Sequence, residues 1–191
     1  MPQYRRLRVP GGTYFFTLVT FHRRPILTSE LGRACLRDAI DSVRKTRPFD
    51  IDAFVLLPDH LHVMWTLPID DVDFSTRWRR IKELFTRAWR ESGGSILGVS
   101  ESQTGKGNRG IWQQRFWEHT IRDDDDYAAH ADYIHYNPAK HALVRCPHEW
   151  RYSSFHRFVA EGTYSRDWAC QCDGRDPVVP DLSTISKSVG E

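Results

Sequence analysis

The segment Val55–Trp65 limits the possible folds of this chain more than any other, because it holds two apolar strand-like stretches with almost no chain between them. Pro58-Asp59 interrupts the segment, and a link this short predicts a β-hairpin. The second stretch opens with two histidines. Side chains alternate between the faces of a strand, so His60 and His62 point to one face and Leu61 to the other.

Two imidazoles on one side of a strand form half of a metal site. A histidine on a strand is also commonly a structural, hydrogen-bonded residue, and that alternative stays open. Asn137 is the candidate for the missing ligand. Imidazoles with one amide oxygen leave positions for substrate oxygens, so the set predicts Mg²⁺ or Mn²⁺ acting as a Lewis acid on a phosphodiester. Zinc would accept the same ligands.

Tyr133 is the candidate nucleophile. If its segment is helical, Tyr133 and Asn137 lie one turn apart on one face. A phenol is a weak nucleophile because its pKa is about 10, but a metal that polarises the phosphate compensates. Most helical tyrosines only pack, and Tyr136 is a competing nucleophile that points roughly 100° away from Asn137. His135 and His141 are possible ligands that share no element with the histidine pair.

The order of elements predicts an α+β fold. Strand, helix, two strands, helix and strand follow one another, which is the ferredoxin-like arrangement of a four-stranded antiparallel sheet with two packed helices. In that arrangement strands one and three are central, and we expect the additional third helix, which carries Tyr133, to cover the sheet face bearing His60 and His62. The predicted elements, in order, are Tyr14–Phe21, Ser29 to about Lys45, 51–57, 60–67, Phe74–Trp89, a strand within Ile111–Ile121, and a helix after Asp123–Asp126.

A chain of 191 residues suggests one domain. We expect this domain over residues 1–171, a flexible tail over 172–191, and a mobile Gly/Ser-rich loop over 92–110. No apolar run approaches the ~20 residues that span a bilayer, and the start lacks the apolar stretch of a signal peptide. The expected location is therefore the cytoplasm, with four reduced cysteines; only Cys170 and Cys172 are close in sequence, so a structural zinc is not expected.

The net charge of +2 is unevenly distributed. Residues 1–50 hold ten basic and four acidic side chains, which gives +6 there and −4 in the remainder. A second basic cluster follows in the second predicted helix. Arginine outnumbers lysine, which suits phosphate contact and base stacking. Charge alone is compatible with nucleic-acid binding and equally with a solvated surface of ordinary ion pairs.

The chain resembles a known family. His60-Leu61-His62 resembles the His-hydrophobic-His motif of HUH endonucleases, and a helical tyrosine with a polar residue four positions later is similar to their single-tyrosine transposases. More narrowly, the chain resembles the REP-associated tyrosine transposases over roughly residues 4–170. The segments that carry this resemblance are Gly11–Thr17, Leu57–His62, Trp112–His119, Asp132–His141 and Trp150–His156. Ser92–Gly110 is longer than the family usually carries.

The resemblance implies an endonuclease that cuts and rejoins single-stranded DNA beside the hairpins of repetitive extragenic palindromes, through a 5′-phosphotyrosine intermediate. It implies His60, His62 and Asn137 as metal ligands and Tyr133 as nucleophile. The implied partner is hairpin DNA in the bacterial nucleoid, and no membrane is involved. A monomer is favoured, and a homodimer stays an alternative. The DNA contacts expected are Tyr4, Arg5, Arg6, Arg8, Arg77, Arg79, Arg80, Lys82, Arg115 and His119.

Three other functions remain open. A non-catalytic nucleic-acid binding module predicts binding that is indifferent to chelators and no covalent adduct. A metal-dependent hydrolase that uses water predicts free 5′-phosphate ends and tolerance of Tyr133→Phe. A replication or conjugation initiator of the wider HUH group needs a larger chain with further domains.

Overall fold

The computed structural model describes residues 7–96, 98, 110–172 and 185. These residues include four strands and four α-helices. They are β1 (Thr13–Val19), α1 (Glu30–Thr46), β2 (Asp50–Leu56), β3 (His60–Thr66), α2 (Phe74–Glu91), β4 (Trp117–Thr120), α3 (Asp124–Lys140) and α4 (Phe155–Ala160), with 3₁₀ turns at Phe21–Arg23 and Pro147–Glu149. Within these ranges, no helix is long and apolar enough to cross a membrane.

The four strands form one sheet in the order β2-β3-β1-β4, and all neighbouring strands are antiparallel. The predicted ferredoxin-like arrangement is confirmed, with β1 and β3 in the centre. Thr17 on β1 lies opposite His62 on β3, and Val19 lies opposite His60. The histidine pair is therefore held on a strand that is paired on both sides.

The sheet separates two apolar clusters. Tyr14, Phe16 and Leu18 point to the face covered by α1 and α2, where Trp65 packs on Trp78 with 4.1 Å between ring centroids. The other face belongs to α3. There, Phe15, Val55 and Met64 of the sheet pack with Ala131, Tyr133 and Ile134 of the helix. The third helix thus covers the face that bears His60 and His62, as the sequence predicts.

Side-chain caps set where the three long helices begin. Ser29 accepts a hydrogen bond from the backbone N–H of Gly32 at 3.0 Å, as the sequence predicts. Asp73 caps α2 in the same way. Asp123 accepts from the backbone N–H of Asp126 at 2.8 Å, and the acidic residues that follow it stabilise the positive end of the α3 dipole.

The structure corrects several details of the sequence interpretation. The last predicted strand is shorter, because only Trp117–Thr120 pairs with β1 while Trp112 makes a single bridge to Thr20. Phe21 lies in a 3₁₀ turn and not in a strand. The predicted mobile loop and tail lie largely outside the described residues, and the domain division stays a prediction.

The expectation of four reduced cysteines is wrong for Cys146 and Cys170, whose sulfur atoms form a disulfide of 1.98 Å. Cys35 and Cys172 are free thiols. The two partners are 24 residues apart, and only the folding of the chain after α3 back onto this helix brings them together.

Candidate active site

His60 and His62 lie side by side on the buried face of β3, with 5.0 Å between their ring centroids. Each ring is hydrogen-bonded through Nδ1. His62 Nδ1 lies 2.8 Å from Thr17 Oγ1, and His60 Nδ1 lies 2.6 Å from Asp59 Oδ1. In metal sites such a bond to the second nitrogen fixes the tautomer and the orientation of the ring. The Nδ1 bonds therefore suit metal binding through Nε2.

Asp59 couples the histidine pair to the turn before β3. Burial alone would raise the pKa of its carboxyl group, but the hydrogen bonds from His60 and Arg23 outweigh burial and hold the pKa below its usual range. Arg23 Nη1 lies 3.0 Å from Asp59 Oδ2. Asp59 is consequently an anion that accepts a hydrogen bond from His60 and orients its ring.

Tyr133 lies directly against the histidine pair. Its ring meets that of His62 edge-on at 5.1 Å between centroids, and it meets Phe15 at 5.9 Å. Lys140 donates to the Tyr133 hydroxyl at 3.3 Å, and its ammonium group also lies 4.8 Å from the ring centroid. The Tyr133 side chain has no exposed surface, and Ile185 belongs to the same apolar cluster.

Asn137 follows Tyr133 by one helical turn and is completely buried. Neither Oδ1 nor Nδ2 of its side chain has a hydrogen-bond partner among the described residues. A buried amide without partners costs free energy unless another group binds it. An orphaned amide and two imidazoles held through Nδ1 have the chemistry of ligands for a divalent cation.

A second polar network supports the start of α3. Asp126 Oδ2 lies 2.8 Å from His119 Nε2 on β4, and Oδ1 lies 3.1 Å from His130 Nδ1. Burial opposes ionisation of Asp126, but the hydrogen bonds from Arg122 and His119 prevail and lower its pKa to about 2. The His130 ring packs 4.9 Å from that of Phe15. The network therefore stabilises the position of Phe15, against which the ring of Tyr133 packs.

The other candidates on or beside α3 have different surroundings. Tyr136, the competing nucleophile, packs with Trp168 and Ala169 and accepts from Gln171 Nε2 at 3.2 Å, away from the histidine pair. His135 Nε2 lies 2.8 Å from Ser154 Oγ, and burial lowers its pKa to about 3. His141 differs, because its ring lies 5.2 Å from that of His60. The two residues belong to different elements, so the periodicity of the sequence does not predict this contact, which forms where α3 ends beside β3.

The predicted DNA contacts are distributed unevenly. Tyr4, Arg5 and Arg6 lie outside the described residues, whereas Arg8, Arg79, Arg80 and Arg115 are exposed. Lys82 donates to the carbonyl oxygen of Gln113 at 2.7 Å, and His119 is engaged by Asp126. Arg80 lines an open groove between α1 and α2 together with Arg47, Arg87 and Arg90. That groove lies on the opposite side of the sheet from Tyr133.

The burial of Arg77 contradicts its predicted role as a DNA contact. It is 1% exposed, and its guanidinium group binds both carboxylate oxygens of Asp71 and the carbonyl oxygens of Arg47, Pro48 and Asp73. With its donors engaged in the interior, Arg77 ties α2 to the end of α1 and is not exposed on the surface.

Sequence reasoning missed three residues that touch the site: Thr17, Asp59 and Lys140. Lys140 follows Tyr133 by seven residues, two helical turns on the same face, so helical periodicity could have identified it. Thr17 became visible only through the pairing of β1 with β3. Asp59 precedes His60 directly, but its orientation depends on the turn.

The structure thus places a histidine pair on a central strand of a ferredoxin-like sheet, facing a helical tyrosine. Comparison with known proteins identifies the family. The chain is 46% identical over 170 residues to a REP-associated tyrosine transposase of Escherichia coli, covering 88% of this chain and 92% of the relative. It is 40% identical over 169 residues to a putative REP-associated tyrosine transposase of Haemophilus influenzae, covering 88% of this chain and 93% of the relative.

A solved structure, that of a REP-associated tyrosine transposase bound to a REP hairpin, superimposes with a TM-score of 0.72 at 43% identity, covering 95% of this chain and 98% of the other. No protein-family model matches the chain. The two curated relatives nonetheless define its family: the chain belongs to the REP-associated tyrosine transposases, enzymes that act on DNA.

Proposed function

We propose that this protein is a metal-dependent endonuclease and strand transferase that cuts and rejoins single-stranded DNA beside palindromic-repeat hairpins, with Tyr133 as the nucleophile. The edge-on contact between the rings of Tyr133 and His62 carries the proposal, because it joins a phenol to a ligand-type imidazole pair. The hairpin bound by the solved relative supports the substrate. The proposed place of action is the bacterial nucleoid.

In the proposed reaction, Tyr133 Oη attacks the phosphorus of the scissile phosphodiester. The bond from Oη to phosphorus forms while the bond from phosphorus to the 3′ oxygen breaks, and the 3′ hydroxyl group leaves with a proton. One DNA end remains linked as a 5′-phosphotyrosine ester. Attack of a 3′ hydroxyl group on the same phosphorus reverses the exchange and restores the phenol, so rejoining needs no ATP.

His60, His62 and Asn137 would hold Mg²⁺ or Mn²⁺. Such an ion, when bound, supplies a Lewis acid for the phosphate oxygens. Thr17 and Asp59 keep the two rings oriented. Lys140 places positive charge at the phenol oxygen, where negative charge develops when the proton leaves and again when the ester is broken.

Two steps of substrate binding follow from the burial of the site. Because Tyr133 is buried in a cluster that includes Ile185, the phosphate enters only when this local packing opens. Exposed arginines, among them Arg8, Arg79, Arg80 and Arg115, then contact DNA phosphates outside the reacting bond. These contacts position the DNA and add affinity without reading bases.

The test is a covalent-trapping experiment with Mn²⁺ and a hairpin oligonucleotide that carries a single-stranded flank. A labelled protein–DNA complex that survives a denaturing gel is expected for the wild type and for Tyr136→Phe, the matched control on the same helix. Tyr133→Phe should bind the hairpin and form no adduct. An adduct in Tyr133→Phe would overturn the assignment.

Other outcomes separate the alternative functions. Hairpin binding that ignores chelators, with no adduct from the wild type under any metal, would identify a non-catalytic binding module. Free 5′-phosphate ends that persist in Tyr133→Phe would identify a hydrolase that activates water.

A further inference from the structure

Three zinc-type ligands meet beyond the end of α3, away from the histidine pair. A sulfur atom of Cys146, a sulfur atom of Cys170 and a ring nitrogen of His148 lie within 4.8 Å of one another. Cys146 and His148 are separated by one residue, and so are Cys170 and the exposed Cys172. Three donors from two distant parts of the chain therefore converge, and Cys172 follows Cys170 by two residues.

The surroundings of His148 suit a metal ligand. Its Nδ1 lies 3.1 Å from the carbonyl oxygen of Arg166. A carbonyl oxygen only accepts, so this bond keeps the proton on Nδ1 and the lone pair on Nε2. A backbone carbonyl on the second ring nitrogen is a common support of zinc-binding histidines. Cys146 is fully buried, and Gln171 N–H donates to Arg145 O at 3.3 Å, which joins the two segments beside the sulfur atoms.

We propose that Cys146, His148, Cys170 and Cys172 form a structural zinc site in the reduced protein. Thiolate and imidazole donors in a four-ligand set favour Zn²⁺ over Mg²⁺ or Mn²⁺. The Cys146–Cys170 disulfide is the oxidised alternative at the same place. A thiol or phosphine reductant supplies two electrons and water supplies two protons, which converts the disulfide to two thiols. Zn²⁺ then displaces the thiol protons, which return to water. The redox state of the pair thus decides between a covalent and a metal-held link.

The site joins the C-terminal part of the described core to the helix that carries Tyr133. Ala169 and Trp168 pack on Tyr136, and Gln171 Nε2 donates to the Tyr136 hydroxyl. Tyr136 lies beside Asn137 on α3. A zinc ion at the four ligands would hold this segment against the helix, so its role is to stabilise the end of α3 and it takes no part in the reaction.

The first measurement is metal content. Full-length protein, purified with a phosphine reductant and freed of loose metal, should retain one Zn²⁺ per chain. Replacement by Co²⁺ should give the intense sulfur-to-metal charge-transfer band of a thiolate site. The double variant His60→Ala/His62→Ala should keep this band, because it removes only nitrogen ligands of the other site. A reduced wild type without bound zinc and without the band would overturn the proposal.

Variants test the individual ligands. Cys170→Ser and His148→Ala should lose the bound zinc, and Cys172→Ser should weaken zinc binding. The control is Cys35→Ala, which alters a buried cysteine of the α1 core and should bind zinc as the wild type does. Unchanged zinc affinity in Cys172→Ser would overturn its assignment as the fourth ligand.

A measurement without substitutions covers the case in which a variant fails to fold. Chelation of zinc from the reduced wild type should lower the unfolding temperature, and added Zn²⁺ should restore it. An unfolding temperature that ignores the chelator would contradict a structural zinc. None of these readouts depends on DNA cleavage, so the failure of this proposal is distinguishable from the failure of the proposed nuclease.

Discussion

Lys140 Nζ lies 3.3 Å from Tyr133 Oη, two turns along the same helix. The ammonium group also lies over the tyrosine ring. The two contacts keep a positive charge at the atom that would form and break the phosphotyrosine bond.

We therefore expect Lys140→Met to slow adduct formation and rejoining about 100-fold, because loss of one charge-stabilising donor typically costs 10²–10³ in rate. DNA affinity should change little, and Lys140→Arg should recover part of the rate. Single-turnover cleavage and hairpin titration measure the two quantities. Lys45→Met, which removes an exposed lysine from the end of α1, is the control. Equal losses of rate in both variants would argue against a role of Lys140 at the phenol.

Thr17→Val tests the orientation of His62. The substitution keeps the shape of the side chain and removes the oxygen 2.8 Å from His62 Nδ1. Loss of such a partner typically lowers metal affinity by about 10–100-fold, so we expect weaker Mn²⁺ binding. Thr13→Val is the control, because it also removes a hydroxyl contact from β1, the partly buried 2.7 Å bond to Thr66. A titration with Mn²⁺ should separate the two, and equal affinities would show that Thr17 does not orient the ligand.

The histidine motif, the hairpin and the order of elements could be read from the sequence because they depend on local periodicity. The same holds for Tyr133 and Asn137, which are related by one helical turn. Thr17 could not be found in this way, because its contact with His62 depends on strand pairing across the sheet. Arg77 misled for a related reason: a basic residue on an amphipathic helix is usually solvated, and only the tertiary structure brings Asp71 and three carbonyl oxygens to its guanidinium group.

Arg77 and Arg80 should therefore respond differently to substitution by alanine. Arg80 is exposed, so Arg80→Ala should reduce the salt dependence of DNA binding by about one phosphate contact and leave stability unchanged. Arg77→Ala removes the buried partner of Asp71 and should lower the free energy of unfolding by about 3 kcal/mol. Binding isotherms over a range of salt concentrations, with urea unfolding of both variants, provide the comparison. A large loss of stability in Arg80→Ala alone would reverse the two assignments.

Asp126 makes stability depend on acid pH. Its pKa falls from 3.8 in the unfolded chain to about 2 in the folded protein, where Arg122 and His119 bind the carboxylate. A depressed carboxyl pKa stabilises the folded state above the unfolded pKa, and this contribution is lost as the pH falls through the folded pKa.

The difference in unfolding free energy between the wild type and Asp126→Asn should be about 2 kcal/mol at neutral pH and should shrink between pH 4 and about pH 2. Asp124→Asn, in the exposed first turn of the same helix, should show no such pH-dependent difference, and urea unfolding across this pH range measures both. A difference for Asp126→Asn that stays constant down to pH 2 would mean that hydrogen-bond geometry, and not the carboxylate charge, stabilises the start of α3.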